Sequence, residues 1–196
     1  SDADLTSHLE NKMYKLAYYS IPLYNSSTYA FADDDQKDTM LRLAQAAVDS
    51  YNGSAPADAV SQFTAFNEVS SAALSGIYAV LDSTVPTDDT ASLQTELLSS
   101  STLDSAFSTE GSADTIRSLS FGQAAAVQYS SYALMMLVRL DPLDADTLDS
   151  LRAQALSDMK SGELQDSIQS YGAQLPHALD SAAMKKMPAS KIKNEQ

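Results

Sequence analysis

Apolar positions along the chain change period several times, and each change marks an element. Leu5 and Leu9, four apart and behind Asp2 and Asp4, predict a short helix over Asp2–Asn11. In Met13–Leu23 (MYKLAYYSIPL) the pattern shifts to alternation, Tyr14, Leu16 and Tyr18 against Lys15, Ala17, Tyr19 and Ile21. Its aromatics, Ile21 and the Pro22 near its end predict a strand, with continuation of the first helix as the alternative. Asn25–Asp33 is polar and reads as a loop. From Asp34 to Tyr51 the period is helical, with Met40, Leu43 or Ala44, Ala47, Val48 and Tyr51 on one face and acids in the first turn. Asn52-Gly53 predicts a stop in the left-handed conformation. Ser54 then reads as the cap of another helix, with Val60, Phe63, Phe66 and Val69 on its buried side, and Leu74–Leu81 reads equally as helix or strand.

After a turn-rich loop over Ser83–Thr90, Leu93, Leu97 and Leu98, then Leu103 and Phe107, fit short helical pieces broken at Ser99-Ser100-Ser101. The segment Leu119–Arg152 predicts a glycine turn at Gly122, a short strand, a polar turn, a buried strand, a break at Asp141-Pro142 and an amphipathic helix. Tyr132–Leu140 is apolar except for Arg139 and far too short to cross a bilayer. The last helical stripe is Leu148, Leu151, Ala155 and Met159; with Gly162 as an interruption, Leu164, Ile168, Tyr171 and Leu175 continue it. Residues 176–196 read as a loosely held tail, giving a domain over 1–142 and a helix with tail over 143–196.

Charge narrows the possible partners. Residues 1–184 hold 8 of the 12 Lys+Arg and 25 of the 26 Asp+Glu, a net of −17, while Lys185, Lys186, Lys191 and Lys193 crowd the tail. Such a body repels phosphate backbones and anionic lipid, so no nucleic-acid partner is expected. Cysteine is absent, which rules out disulfides and thiolate chemistry. The chain opens at Ser1 rather than Met and is expected to be a trimmed or mature product.

Sites for chemistry are scarce. His8 and His177 have no neighbour at metal-ligand spacing, and Asp33-Asp34-Asp35 lacks the glycine and distal glutamate of a calcium loop. Asp141, Asp144, Asp146 and Asp149 lead into a helix, where acids favour the N-terminus. No metal, cofactor or catalytic residue is expected. Asn25-Ser26-Ser27 and Asn52-Gly53-Ser54 match a glycosylation triplet as chance allows in so Ser-rich a chain. The ten tyrosines and the Met135-Met136 pair either face a core or line a groove for apolar peptides.

In order, these elements resemble a parvulin-type peptidyl-prolyl isomerase domain joined to the C-terminal helix of extracytoplasmic foldases and SurA-like chaperones. The resemblance rests on the strand Tyr14–Leu23, the helix QKDTMLRLAQAAVDSYNG at 36–53 and the Phe-containing DAVSQFTAF at 58–66. It continues through the Gly-turn and closing strands SFGQAAAVQYSSYALMMLVRL at 120–140, the helix at 151–175, and the tail at 177–192. It implies an α+β fold, a small antiparallel sheet with flanking helices and a C-terminal helical segment; the alternative is an all-α domain. It also implies extracytoplasmic folding work on unfolded or exported polypeptides, secreted or held at a membrane through an upstream lipid anchor. Parvulins carry histidines on the first and last strands, where this chain has Tyr18 or Tyr19 and Ala133. A degenerate member that binds extended peptide without isomerase activity is therefore expected, through Tyr18, Tyr19, Phe63, Tyr132 and Met136; an active isomerase and an all-helical surface interaction domain are the alternatives.

Overall fold

A computed structural model of the chain describes residues 2–87, 91–142, 157 and 160–171. It divides into two units, Ser1–Arg152 and Ala153–Gln196. In the first, elements follow the order α1 (Asp2–Lys12), β1 (Met13–Pro22), α2 (Asp34–Asn52), α3 (Ala59–Ala79), β2 (Gln94–Ser99), α4 (Ser100–Ala106), α5 (Ser112–Ser118), β3 (Ala124–Ser130) and β4 (Ala133–Leu140). The four strands form one antiparallel sheet ordered β2-β1-β4-β3, so the fold is mixed, and the all-α alternative is excluded. Among the described residues no helix is long and apolar enough to cross a membrane.

Helices pack on both faces of the sheet, which explains its apolar central strands. Ala17, Tyr19, Ile21, Leu134, Met136 and Val138 point to α2 and α3, against Met40, Ala44, Tyr51, Phe66 and Ile77. Tyr14, Leu16, Met135 and Leu137 point the other way, against Leu103 and Phe107 of the α4 region and Ile116 of α5. A strand buried on both sides loses the clean alternation of a half-exposed one, and β4 accordingly reads as a continuous apolar run.

Local chemistry sets most of the ends. Asp33 accepts from the Gln36 amide at 2.8 Å while the Gln36 side chain accepts from the Asp33 amide at 3.0 Å, a reciprocal cap for α2. α3 is capped by Asp58 rather than Ser54; the Ser61 amide donates to its carboxylate and holds its pKa below the ordinary value. α3 then runs through the ambiguous Leu74 region without a break. The serine run predicted to be a break is the start of α4, with Ser99 as its cap. Gly53 is right-handed at φ −67°, so the predicted left-handed stop is not used. Asn52 acts differently from the prediction as well: it donates to the Ala124 carbonyl at 2.9 Å and accepts from the Ala124 amide at 2.8 Å. That bonding mimics a neighbouring strand and blunts the outer edge of β3. Gly122 does need its freedom. Its φ is +81°, and a Cβ there would fall 2.3 Å from Gln62 Nε2.

Two further expectations are corrected. Residues 94–99 form an edge strand, not a helical piece, because β1 offers a ladder from Met13↔Ser99 to Tyr18↔Gln94. On α3 the buried stripe is Gln62, Phe66, Ser70, Leu74 and Ile77, which leaves Val60 78% exposed and Phe63 36% exposed. In the second unit residues 160–171 are helical straight through Gly162, with Leu164, Ile168 and Tyr171 exposed. The side chains of Leu5 and His8, the Leu148–Met159 stripe, Leu175, His177 and the tail lie outside the described residues.

Candidate functional site

α4 and α5 have seven residues each, too short to span the face they cover. Past Met135 the sheet surface opens into a cavity of about 610 Å³. Its floor is Tyr18, Ser20 and Pro22 of β1 with Ala133 and Met135 of β4; alternate residues of a strand share a face, and β1 and β4 are paired in register from Lys15↔Leu140 to Pro22↔Ala133. Tyr24, Tyr78, Tyr129 and Tyr132 form much of its wall. A register shift between Gln128 and Ser130 leaves Tyr129 as the extra residue of a bulge. The Tyr129 ring is braced edge-on by Phe107, centroids 5.2 Å apart.

The aromatic surface continues out of the cavity. Phe31 lies 5.5 Å from Tyr132 and 5.9 Å from Tyr24, centroid to centroid, and bridges to Tyr24 along the backbone. Phe31, Tyr132 and Tyr29 are all exposed. This loop is held by Asn25, 8% exposed. Its Oδ1 accepts from the amides of Ser27 at 2.9 Å and Thr28 at 3.0 Å. Its Nδ2 donates to the carbonyls of Leu81 at 2.9 Å and Asp82 at 3.2 Å. The amide that glycosylation of Asn25-Ser26-Ser27 would require is therefore buried and engaged. The positive-φ non-glycine residues described, Tyr29 (58°) and Asp82 (51°), both sit on this anchored rim, where the Asn25 contacts hold strained backbone in place.

Glu96 of β2 supplies the charge that touches this wall: Tyr18 Oη donates to Glu96 Oε2 at 3.4 Å. Burial pushes the Tyr18 phenol up from its ordinary 10.0, and the Glu96 carboxylate adds to the rise. Burial also raises Tyr19 and Tyr51. As pH rises these phenols ionise in the unfolded chain before the folded one, so their contribution is complete below pH about 10 and is lost as pH climbs through the raised values. The urea midpoint is expected to fall above pH about 10, and the fall is expected to be shallower in Tyr18→Phe. An unchanged alkaline slope in that variant would mean that Tyr18 titrates as a solvated phenol.

Of the five residues predicted for peptide contact, the cavity brings together Tyr18 and Tyr132. Tyr19 and Met136 face the opposite side and are core; Tyr19 Oη donates to Asn67 Oδ1 at 2.5 Å. Phe63 lines a separate groove of about 390 Å³ with Val60, Lys15 and Leu140. Tyr24, Tyr78, Tyr129 and Met135 line the cavity but are absent from those five, since the sequence leaves them open between core and groove; period-two parity from Tyr18 would have selected Tyr24, and parity from Ala133 would have selected Met135. Among the described residues no group of three His, Asp or Glu is placed to hold a metal ion. No family model matches the chain, and neither does any curated protein or solved structure.

Proposed function

We propose that this chain is an extracytoplasmic polypeptide-binding module of the foldase and chaperone kind, built on a parvulin-like plan without isomerase chemistry. The observation that carries the reading is the open, tyrosine-walled cavity on the sheet face that α4 and α5 leave uncovered. The order of elements supports the parvulin-like plan: one strand, two helices, an edge strand, short helices and a closing hairpin. Of the residues standing where the resemblance calls for histidines, Tyr18 or Tyr19 and Ala133, the cavity holds Tyr18 and Ala133.

Rotating a prolyl bond means crossing a barrier of about 18–20 kcal/mol, so a catalyst must favour the twisted amide over the planar one. Ala133 offers no polar group for that, and the hydroxyl of Tyr18 is engaged with Glu96. Rigid aromatic walls still give an extended chain large apolar contact with hydroxyls for its backbone. The chain is expected to delay aggregation of a reduced, alkylated, permanently unfolded client at stoichiometric ratio, measured by light scattering. Cis/trans exchange of a proline peptide in the same buffer is expected to stay at the uncatalysed rate. If the client aggregates at its unassisted rate and an anisotropy titration shows no association, the reading fails; catalysed exchange would instead favour the isomerase alternative.

A further inference from the structure

The sheet ends in two edges, and the chain treats them differently. An edge strand turns the N–H and C=O of every second residue away from its neighbour, a template on which another strand can pair. On β3 that template is blocked. Asn52 bonds both backbone groups of Ala124, and on the same edge the Ser112 hydroxyl donates to the Gln128 carbonyl at 2.9 Å. On β2 the template is open. Its ladder with β1 is regular from Met13↔Ser99 to Tyr18↔Gln94, and the segment holds no proline or lysine to discourage a further strand. Among the described residues no strand lies beyond it, and no backbone group bonds to its outer side.

The two faces beside this edge differ in chemistry. Thr95 and Leu97 share one face with their β1 partners Ala17 and Lys15. On that face Thr95 lines the groove of Val60 and Phe63. Glu96, exposed, lies on the other face. The unit that contains the sheet, Ser1–Arg152, holds 7 of the 12 Lys+Arg and 21 of the 26 Asp+Glu, a net of −14. A second copy would bring the same acid excess and its own Glu96 to the edge, whereas a basic strand is steered toward it.

We propose that the outer edge of β2 is a strand-addition site, occupied by an extended segment of another polypeptide in which apolar and basic residues alternate. Backbone pairing supplies the affinity and the alternation supplies the choice. Apolar residues reach across Thr95 toward Val60 and Phe63, and the basic residues between them meet Glu96. The site is the strand edge rather than the tyrosine-walled cavity, and it stands whether or not the cavity takes polypeptide.

The test titrates the whole chain, isotopically labelled for magnetic resonance, with a short peptide in which valine alternates with lysine. A valine–glutamate peptide and two N-methylated valine–lysine peptides, one methylated at the valines and one at the lysines, complete the set. The valine–lysine peptide is expected to protect the outward amides of β2, every second residue within Gln94–Leu98, from solvent exchange. It is expected to bind about tenfold more tightly than valine–glutamate. Each residue of a strand turns both backbone groups to one side, so one methylated peptide is expected to lose about tenfold or more in affinity. The other is expected to bind nearly as the parent does. Glu96→Lys is expected to weaken the valine–lysine peptide by about three- to fivefold, and Val60→Ser, at an exposed position, by about threefold. Equal affinity for the lysine and glutamate peptides, with Glu96→Lys silent, would overturn the choice of a basic partner. Equal affinity of the two methylated peptides, or no new protection on β2, would overturn strand addition. Loss of binding in Tyr132→Ala would overturn it by placing the peptide in the cavity. A dimer in sedimentation with those amides protected before peptide is added would assign the edge to a second copy instead. If the valine–lysine peptide does not associate, this site fails, while the unfolded-client assay decides the cavity reading separately.

Discussion

Arg139→Ala is expected to lower the unfolding free energy by about 3–5 kcal/mol, the sum of several charge-assisted hydrogen bonds and cation–π contacts. Arg139 is the one charge inside the apolar run of β4, and its side chain does structural work at the far end of the open face. Nη1 donates to the Leu119 carbonyl at 2.7 Å and the Arg117 carbonyl at 3.3 Å, and Nη2 to the Glu10 carbonyl at 3.3 Å. Those carbonyls belong to the C-terminal ends of α5 and α1, which lack intrahelical donors and carry negative dipole charge. The guanidinium is packed by the rings of Tyr14 at 4.8 Å and Phe121 at 5.0 Å.

Burial pushes the Arg139 pKa down and the Tyr14 phenol offsets part of that, yet guanidinium stays charged at any workable pH. Among the described residues no carboxylate forms an ion pair with it, so the two helix ends are its counter-charge. Arg139→Lys keeps the charge but has no planar fork to reach two helices, and is expected to cost about 1–3 kcal/mol. Urea unfolding at constant slope measures both. A loss below about 1 kcal/mol for alanine, the worth of a single ordinary hydrogen bond, would show that water serves the carbonyls equally well.

Asn25→Ala is expected to cost about 2–4 kcal/mol and to weaken association with the unfolded client peptide by roughly fivefold. Four side-chain hydrogen bonds disappear, and the carbonyl of buried Leu81 loses its donor. The loop that sets Phe31 against Tyr132 is then tied mainly by backbone bonds, such as Ala32 to Leu23 at 2.8 Å. Asn25→Asp keeps the acceptor for Ser27 and Thr28 but turns a carboxylate toward two carbonyls, and is expected to lose at least as much. Stability reduced with peptide affinity unchanged would mean that the rim plays no part in binding.

Much of the architecture was legible because it rests on local rules. Alternation with aromatics marked β1, the 3.6 period marked α2, and an apolar run between turns marked β4. The edge strand β2 was not legible. Gln94-Thr95-Glu96 is polar and exposed, and the segment is a strand because β1 has an unfilled edge. Phe63 misled for a related reason: either of two stripes on α3 would serve an isolated helix, and contact with α2 and the sheet selects the one through Phe66.

The sequence by itself determined the main strands and helices, the acid balance, and the absence of thiol chemistry. It left the ten tyrosines open between a core and a groove. Only the tertiary structure decided which of them go to each. With helices on both faces, β1 and β4 carry large apolar residues on both sides, so Tyr18 and Tyr19, or Met135 and Met136, are equivalent to a reader of the chain. The brevity of α4 and α5 breaks that equivalence, opening the side with Tyr18 and Tyr132 at one end and leaving Tyr19 and Met136 in the core of the other.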